Sequence, residues 1–178
     1  NGDNILMRSR GTYLEYYDSI AEEWASLRAA GSDGAKYGYA DYNINTDLRS
    51  YVYFGNAVDS FARWTGAYTQ ITTAVSLGDA SVAVTDAGDF LSSGTVRLCD
   101  TDLAYTSKTD TVITLTSTST VACAIDKSTT QAIQEYASNP KGNIYINANN
   151  RIFIAGTINP QLVLFSAYGN PASWSTTT

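Results

Sequence analysis

Histidine is absent from all 178 residues, and several other types are scarce: one methionine, two cysteines, three prolines and three tryptophans. Without histidine, Ser-His-Asp and Cys-His nucleophile systems and imidazole metal sites are excluded. Basic residues are few as well, 11 against 17 acidic ones, for a net charge of −6 and a pI near 4.4. That balance excludes the broad basic surface that nucleic-acid backbones demand, so no sequence-specific nucleic-acid partner is expected. No apolar run approaches the roughly 18 to 20 residues of a membrane-crossing helix, and no membrane span is expected. The opening NGDN has no initiator Met and none of the basic and apolar regions of a secretion signal. Gly31, Gly34 and Gly38 lack the strand-to-helix setting and the Lys-Ser/Thr of a phosphate loop.

What the chain does have is hydrophobic and aromatic residues in strand patterns. Hydrophobic residues make up 44%, enough for a core, and thirteen tyrosines against five phenylalanines point to sheets whose aromatic faces also meet water or a partner. Trp24 and Trp64 stand 40 residues apart, each closing a β-rich run, a Gly-containing turn and a second apolar run. Trp174 closes a third such stretch, 110 residues after Trp64. A period of about 40 residues is that of a propeller blade, a unit that must stack on neighbours to bury its sheet faces. Residues 71–131 differ in texture, rich in Thr, Ser and Ala and poor in aromatics; setting them aside leaves an interval close to one blade.

Along the chain, ILMRSRGTYLEYYD reads as a hairpin around Arg10-Gly11-Thr12. Residues 20–30 are ambiguous. Ser19 with Glu22 forms a capping-box pattern and Ile20, Trp24 and Leu27 share a helical face, so a short helix competes evenly with a strand. KYGYADYNI, LRSYVYFGNAV and FARWTGAYTQ follow as alternating aromatic strands. Within 71–131, SVAVTD, GTVRLC, LAYTSK, TVITLT and STVACAID read as short strands of a small barrel or sandwich, with Phe90 and Leu91 anchoring its core. Ser138-Asn139-Pro140-Lys141-Gly142 is a turn, NIYINANNRIFIAG gives two strands across Asn147-Ala148-Asn149-Asn150, and QLVLFSAYG gives another before Gly169-Asn170-Pro171.

Candidate chemistry is thin. Glycosidases need only two carboxylates, and Glu15, Glu22, Glu23, Asp41 and Asp59 are available, but a solvated surface is their ordinary role. Ser32-Asp33-Gly34 resembles an Asp-box turn without the spacing to a following Thr-Trp. Asp100-Thr101-Asp102, with Asp47 or Asp110, offers oxygen ligands for calcium, yet the regular donors and terminal Glu of an EF-hand do not follow, and a turn is the expected role. Tyr13, Tyr16, Tyr17, Tyr37, Tyr39 and Tyr42 suit sheet packing first, a subunit interface second and a carbohydrate platform third. Cys99 and Cys123 lie 24 residues apart, close enough for a loop-closing bridge worth roughly 3 kcal/mol, or they are two buried thiols.

Two stretches, YVYFGNAVDSFARWTGAY and NPKGNIYINANNRIFIAGTINPQLVLFSAYGNPASW, resemble the propeller-type repeats of bacteriophage tail proteins, in which an Asn-Arg, apolar strand and Ala-Gly run leads to a strand ending in Gly, Asn or Asp, Pro, x, x, Trp. The nozzle, or tail tubular protein B, family is the best-known group. Residues 71–131 are similar to a small β-module of phage tail and baseplate chains, with Tyr105-Thr106 as its aromatic-Thr pair; Leu98-Cys99-Asp100-Thr101 departs from its usual Ile-Gly-x-Glu, and a closing Arg-Gly is missing.

The resemblance implies an all-β chain of propeller-like repeats, a partial set at 1–70 and 132–178, interrupted at 71–131 by an inserted small β-barrel or sandwich module. It implies a structural part of the virion tail, assembled in the host cytoplasm, with no catalytic residue, cofactor or metal. Partners would be further copies and other tail proteins, with a host surface glycan as the additional class considered. Folding in a reducing cytoplasm favours free thiols at Cys99 and Cys123. Since three blades cannot close a propeller, a longer protein is expected. The rival readings are a carbohydrate-binding or carbohydrate-active propeller and a cell-surface adhesin.

Overall fold

A computed structural model describes residues 5–29, 31–44 and 49–174, so NGDN and Asp47 lie outside the described residues. The chain is all-β, with seventeen strands in four sheets and no helix among the described residues. By its internal contacts it divides into two compact units. One comprises the described parts of Asn1–Arg8, Tyr13–Ala29 and Gly66–Ala132; the other comprises the described parts of Ser9–Thr12, Ala30–Thr65 and Ile133–Thr178.

The first sheet is β1 (Met7–Arg10), β2 (Tyr13–Asp18) and β3 (Glu23–Arg28), in that order. Gly11, at φ +58°, turns the chain between β1 and β2 where a Cβ would be strained. The stretch read as helix or strand is the strand β3. Asp18 decides this locally, because its Oδ1 accepts the backbone N–H groups of Ile20 and Ala21 at 2.8 and 3.1 Å and its fixed turn ends at Glu22 with φ +53°. Trp24 then returns opposite Tyr17, ring edge to ring face at 5.4 Å.

In the same unit, six strands form a curled, half-barrel sheet in the order β7 (Tyr68–Gln70), β12 (Ser128–Gln131), β9 (Gly94–Leu98), β10 (Thr101–Lys108), β11 (Val112–Leu115) and β8 (Ser81–Ala83). An Ile71–Val84 bridge links the two ends of the curl. Its core gathers Ile71, Val82, Phe90, Val96, Leu98, Tyr105 and Ile113. Phe90 is fully buried, as expected, while Leu91 is only partly so. STVACAID is not a strand: Cys123 makes only an isolated bridge to Val75, and the strand comes later, at β12. Tyr68–Gln70, expected to continue the preceding aromatic sheet, pairs instead with β12. Cys99 and Cys123 are joined by a disulfide, where free thiols were favoured; the β9–β10 turn brings the two Cα atoms to 6.0 Å, within reach of a bridge.

The second unit holds two four-stranded antiparallel sheets. One runs β13 (Gln134–Tyr136), β6 (Phe61–Trp64), β5 (Arg49–Gly55), β4 (Gly38–Ile44); the other runs β14 (Ile144–Ala148), β15 (Arg151–Ala155), β16 (Leu164–Ala167), β17 (Asn170–Trp174) in sequence order. β6 and β13 pair directly, Arg63 opposite Gln134 and Phe61 opposite Tyr136, although the whole of 65–133 lies between them in the chain. The tight β14–β15 turn is set by Asn149 and Asn150, at φ +49° and +57°, the conformation that a two-residue hairpin turn requires and Asn tolerates.

The two sheets share one core: Ala40, Tyr42, Tyr51, Tyr53 and Phe61 from the first pack with Tyr145, Ile152 and Ile154 from the second. Phe61 is its hub, stacked on Tyr53 and Tyr145 at 5.5 and 5.7 Å and met edge-on by Trp174. The three tryptophans occupy different strand positions. Trp64 closes the third strand of its sheet and is fully buried, Trp174 closes the fourth strand of the other, and Trp24 stands near the start of β3, both half-buried. Trp64 and Trp174 do agree in closing the second strand of a hairpin that turns at Gly-Asn, Gly55-Asn56 and Gly169-Asn170.

Candidate interaction site

The carboxylates singled out from the sequence are mostly engaged. Glu15 is buried and accepts from Arg8 Nε at 2.7 Å, with the Arg8 guanidinium also 4.0 Å above the Trp24 ring. Glu22 is exposed in a turn and Glu23 faces Lys127 at 3.9 Å. Asp41 is exposed on β4, where its backbone carbonyl accepts from Asn147.

Asp59 is a tie between loops. Its carboxylate accepts from Ser32 N at 2.9 Å, Ser32 Oγ at 2.6 Å, Tyr37 OH at 2.8 Å and Asn56 Nδ2 at 2.8 Å. Burial alone would raise its pKa, but these hydrogen bonds to the charged form outweigh it and hold the group well below the usual carboxylate range. A carboxylate so held cannot deliver a proton at neutral pH, which is the work of a general acid. The Ser32-Asp33-Gly34 stretch belongs to this tie through Ser32.

Asp100 and Asp102 do come together, around a guanidinium. Arg97 Nη1 donates to Asp102 at 2.8 Å and Nη2 lies 3.4 Å from Asp100, across a tight turn in which Cys99 and Asp100 both have positive φ. The Asp-x-Asp pattern is therefore a turn with its own counter-ion. Asp110 is exposed in the β10–β11 turn. Among the described residues no three of His, Cys, Asp and Glu are placed to hold a metal ion.

The tyrosines are largely packing residues. Tyr16 is buried against Tyr68 at 5.1 Å, and burial, reinforced by the nearby Asp18 charge, pushes its hydroxyl pKa far up. Tyr17 packs on Trp24, Tyr37 and Tyr39 on Phe54, and Tyr42 on Tyr53. Tyr13 alone of the six is exposed.

The surface that stands out is the outer face of the β14–β17 sheet. Its inner face supplies Tyr145, Ile152 and Ile154 to the core. Side chains alternate along strands, so the outer face carries the residues between them. Cross-strand register aligns them in rows: Ile144 with Ala155, Ile146 with Phe153 and then Phe165, and Ala148 with Arg151. Ile144, Ile146, Val163 and Phe165 are 52%, 56%, 57% and 47% exposed, with Tyr168 nearby at 70%. Ile158 and Leu162 are exposed in the β15–β16 loop. From Gly142 to Trp174 the chain carries a single charge, Arg151. That guanidinium lies over Phe165 and Tyr168, at 5.2 and 6.0 Å, and donates to the Ser166 carbonyl at 2.6 Å.

This face was not anticipated, although a signal for it is present. Ile144-Tyr145-Ile146 and Ile152-Phe153-Ile154 are continuous apolar runs, and strands apolar on both parities have two faces to cover. A partly exposed apolar patch depleted in charge, rich in aromatic residues and carrying one Arg has the composition of a protein interface core. No protein family, curated protein or solved structure matches this chain.

Proposed function

We propose that the chain is an architectural subunit, a structural component of a bacteriophage tail of the nozzle, adaptor or hub kind, which works by holding protein neighbours rather than by catalysis. The observation that carries this reading is the outer face of the β14–β17 sheet, which is apolar, nearly free of charge and uncovered. A sheet with both faces apolar is a building block for stacking, as in a propeller, where each four-stranded antiparallel blade covers the next.

Three further features support it. The two four-stranded antiparallel sheets of the second unit stack on a shared aromatic core, the size and pairing expected of adjacent repeats. The β6–β13 pairing lets the intervening segment leave and re-enter at adjacent strands, the connection an inserted module needs. The resemblance of the Asn-Arg and Gly-Asn-Pro-x-x-Trp stretches to tail-protein repeats supplies the biological context. On this reading the half-barrel is a decorating module, and it is the part available to a host surface glycan.

Quantitative mass spectrometry of purified virions tests the proposal. The chain is expected there in multiple copies, with no cleavage of polysaccharides or bacterial surface glycans by the purified protein. Absence from virions, or glycan cleavage abolished by Asp or Glu replacement, would overturn it.

A further inference from the structure

We infer that Cys99 is the entry point for thiol–disulfide exchange with small thiols and disulfides of the glutathione type, and that the Cys99–Cys123 bridge is a lock closed on an already folded half-barrel. Both cysteines lie within the first unit, and the lock does not depend on what the chain assembles with.

The two cysteines differ in access. Cys99 is exposed on the β9–β10 turn, whereas Cys123 is 4% exposed and belongs to the same core cluster as Val75 and Leu115. A thiolate attacks a disulfide from behind the sulfur to which it bonds, so access decides which sulfur is taken. At Cys99 that approach is through solvent; at Cys123 packed side chains stand in the way. Exchange therefore starts at Cys99. In the opening direction the small thiolate bonds to Cys99 Sγ, the S–S bond breaks, and Cys123 leaves as a thiolate that takes up a proton. A second small thiol then removes the first from Cys99, so two thiols are oxidised to one disulfide and the protein is reduced by two electrons. Closing is the reverse. The Cys99 thiolate attacks the small disulfide, one small thiol departs, and the Cys123 thiolate displaces the other from Cys99.

Each cysteine is held by bonds that do not involve sulfur. Cys99 and Asp100, at φ +43° and +63°, form a two-residue turn closed by the Leu98–Thr101 pair. Arg97 braces that turn by donating to Asp102 at 2.8 Å and reaching Asp100 at 3.4 Å. On the other side, Val75 N donates to the Cys123 carbonyl at 2.8 Å and Cys123 N to the Val75 carbonyl at 2.9 Å. The same loop is fastened before and after, by Ser119 N to Asp79 O at 2.7 Å and Asp126 N to Ile71 O at 2.9 Å. Backbone pairing thus sets the 6.0 Å between the two Cα atoms, and a dithiol in this frame is preorganised to close. What the bridge adds is a tie from the β9–β10 turn to residues 116–127, a stretch with no strand of its own. The free thiols favoured for a reducing compartment and the bridge seen in the fold are then two states of one site.

The test uses the 178-residue protein reduced with a phosphine. Hydrogen exchange read by mass spectrometry should stay slow in β9, β10 and β11 after reduction, with faster exchange confined to 116–127 and the β9–β10 turn. Pulse labelling of the reduced, folded protein with N-ethylmaleimide separates the two thiols, because trypsin places them in peptides 98–108 and 109–127. Cys99 should label at least tenfold faster than Cys123. With oxidised glutathione, the early ratio of bridged to singly glutathionylated chains should be at least tenfold higher in buffer than in concentrated guanidinium, where the frame is lost. Fast exchange throughout β9–β11 on reduction would show the bridge to be needed for folding and overturn the inference. Equal labelling of the two thiols, or a ratio no higher in buffer than in guanidinium, would overturn it as well.

Discussion

Single side chains carry much of the second unit. Trp64 is fully buried at the end of β6, so Trp64→Ala is expected to cost about 3 to 5 kcal/mol in denaturant unfolding, with a smaller loss for the half-buried Trp24→Ala. Asp59 gives a pH signature. Its folded pKa lies below its unfolded value of about 3.9, so the stability it contributes is complete above that pH and is lost as the pH falls below it. Asp59→Asn, which turns a donor pair toward Asn56 and Ser32, should therefore destabilise the protein at pH 7 and lose that effect progressively below about pH 4, as followed by thermal melts. At the alkaline end, burial pushes Tyr39 and Tyr136 up to about 12. A raised phenol pKa stabilises the fold fully below about 10 and the contribution disappears as pH rises through 12. Ultraviolet titration should show these phenols ionising late, together with loss of the fold.

At the scale of elements, the half-barrel is held by a small core and one covalent tie. Reducing the Cys99–Cys123 bridge, which spans 24 residues, or replacing both cysteines by serine, should lower the stability of the first unit by roughly 3 kcal/mol. Excising 66–132 and joining the chain by a Gly-Ser linker should leave the two stacked sheets folded, since β6 and β13 already lie side by side. The β1–β3 sheet should fray, because Tyr16 loses Tyr68 and Asp18 loses the Ser128 hydroxyl. Circular dichroism and limited proteolysis would show both effects; loss of all β signal would mean that the segment is part of the second unit's core. These elements also show what could be read in advance. Hairpins with local signals, such as β1–β2 at Gly11 and β14–β15 at Asn149-Asn150, were legible because the turn residues fix the pairing. β3 was not, because one Asp18 carboxylate capping two N–H groups decides between a turn and a helix start that share the same letters. The pairing of β7 with β12 and of β6 with β13 joins residues some sixty to seventy positions apart, and no local pattern announces it. The outer face was hidden for a related reason: the same apolar runs serve a core and an interface, and only burial separates the two.

For the molecule as a whole, acidic charge and uncovered apolar surface are segregated. The net charge of the chain is −6, and all of its acidic residues lie outside the stretch from Gly142 to Trp174, which carries one arginine. Net charge keeps such a protein soluble, and the charge-poor sheet is where it can meet a neighbour without stranding buried ions. Immunogold electron microscopy of intact virions, with antibodies raised against the half-barrel, asks whether this chain builds a phage tail, as proposed above. Label at the tail in several copies per particle is expected, and unlabelled tails on virions from cells that make the protein would overturn the proposal.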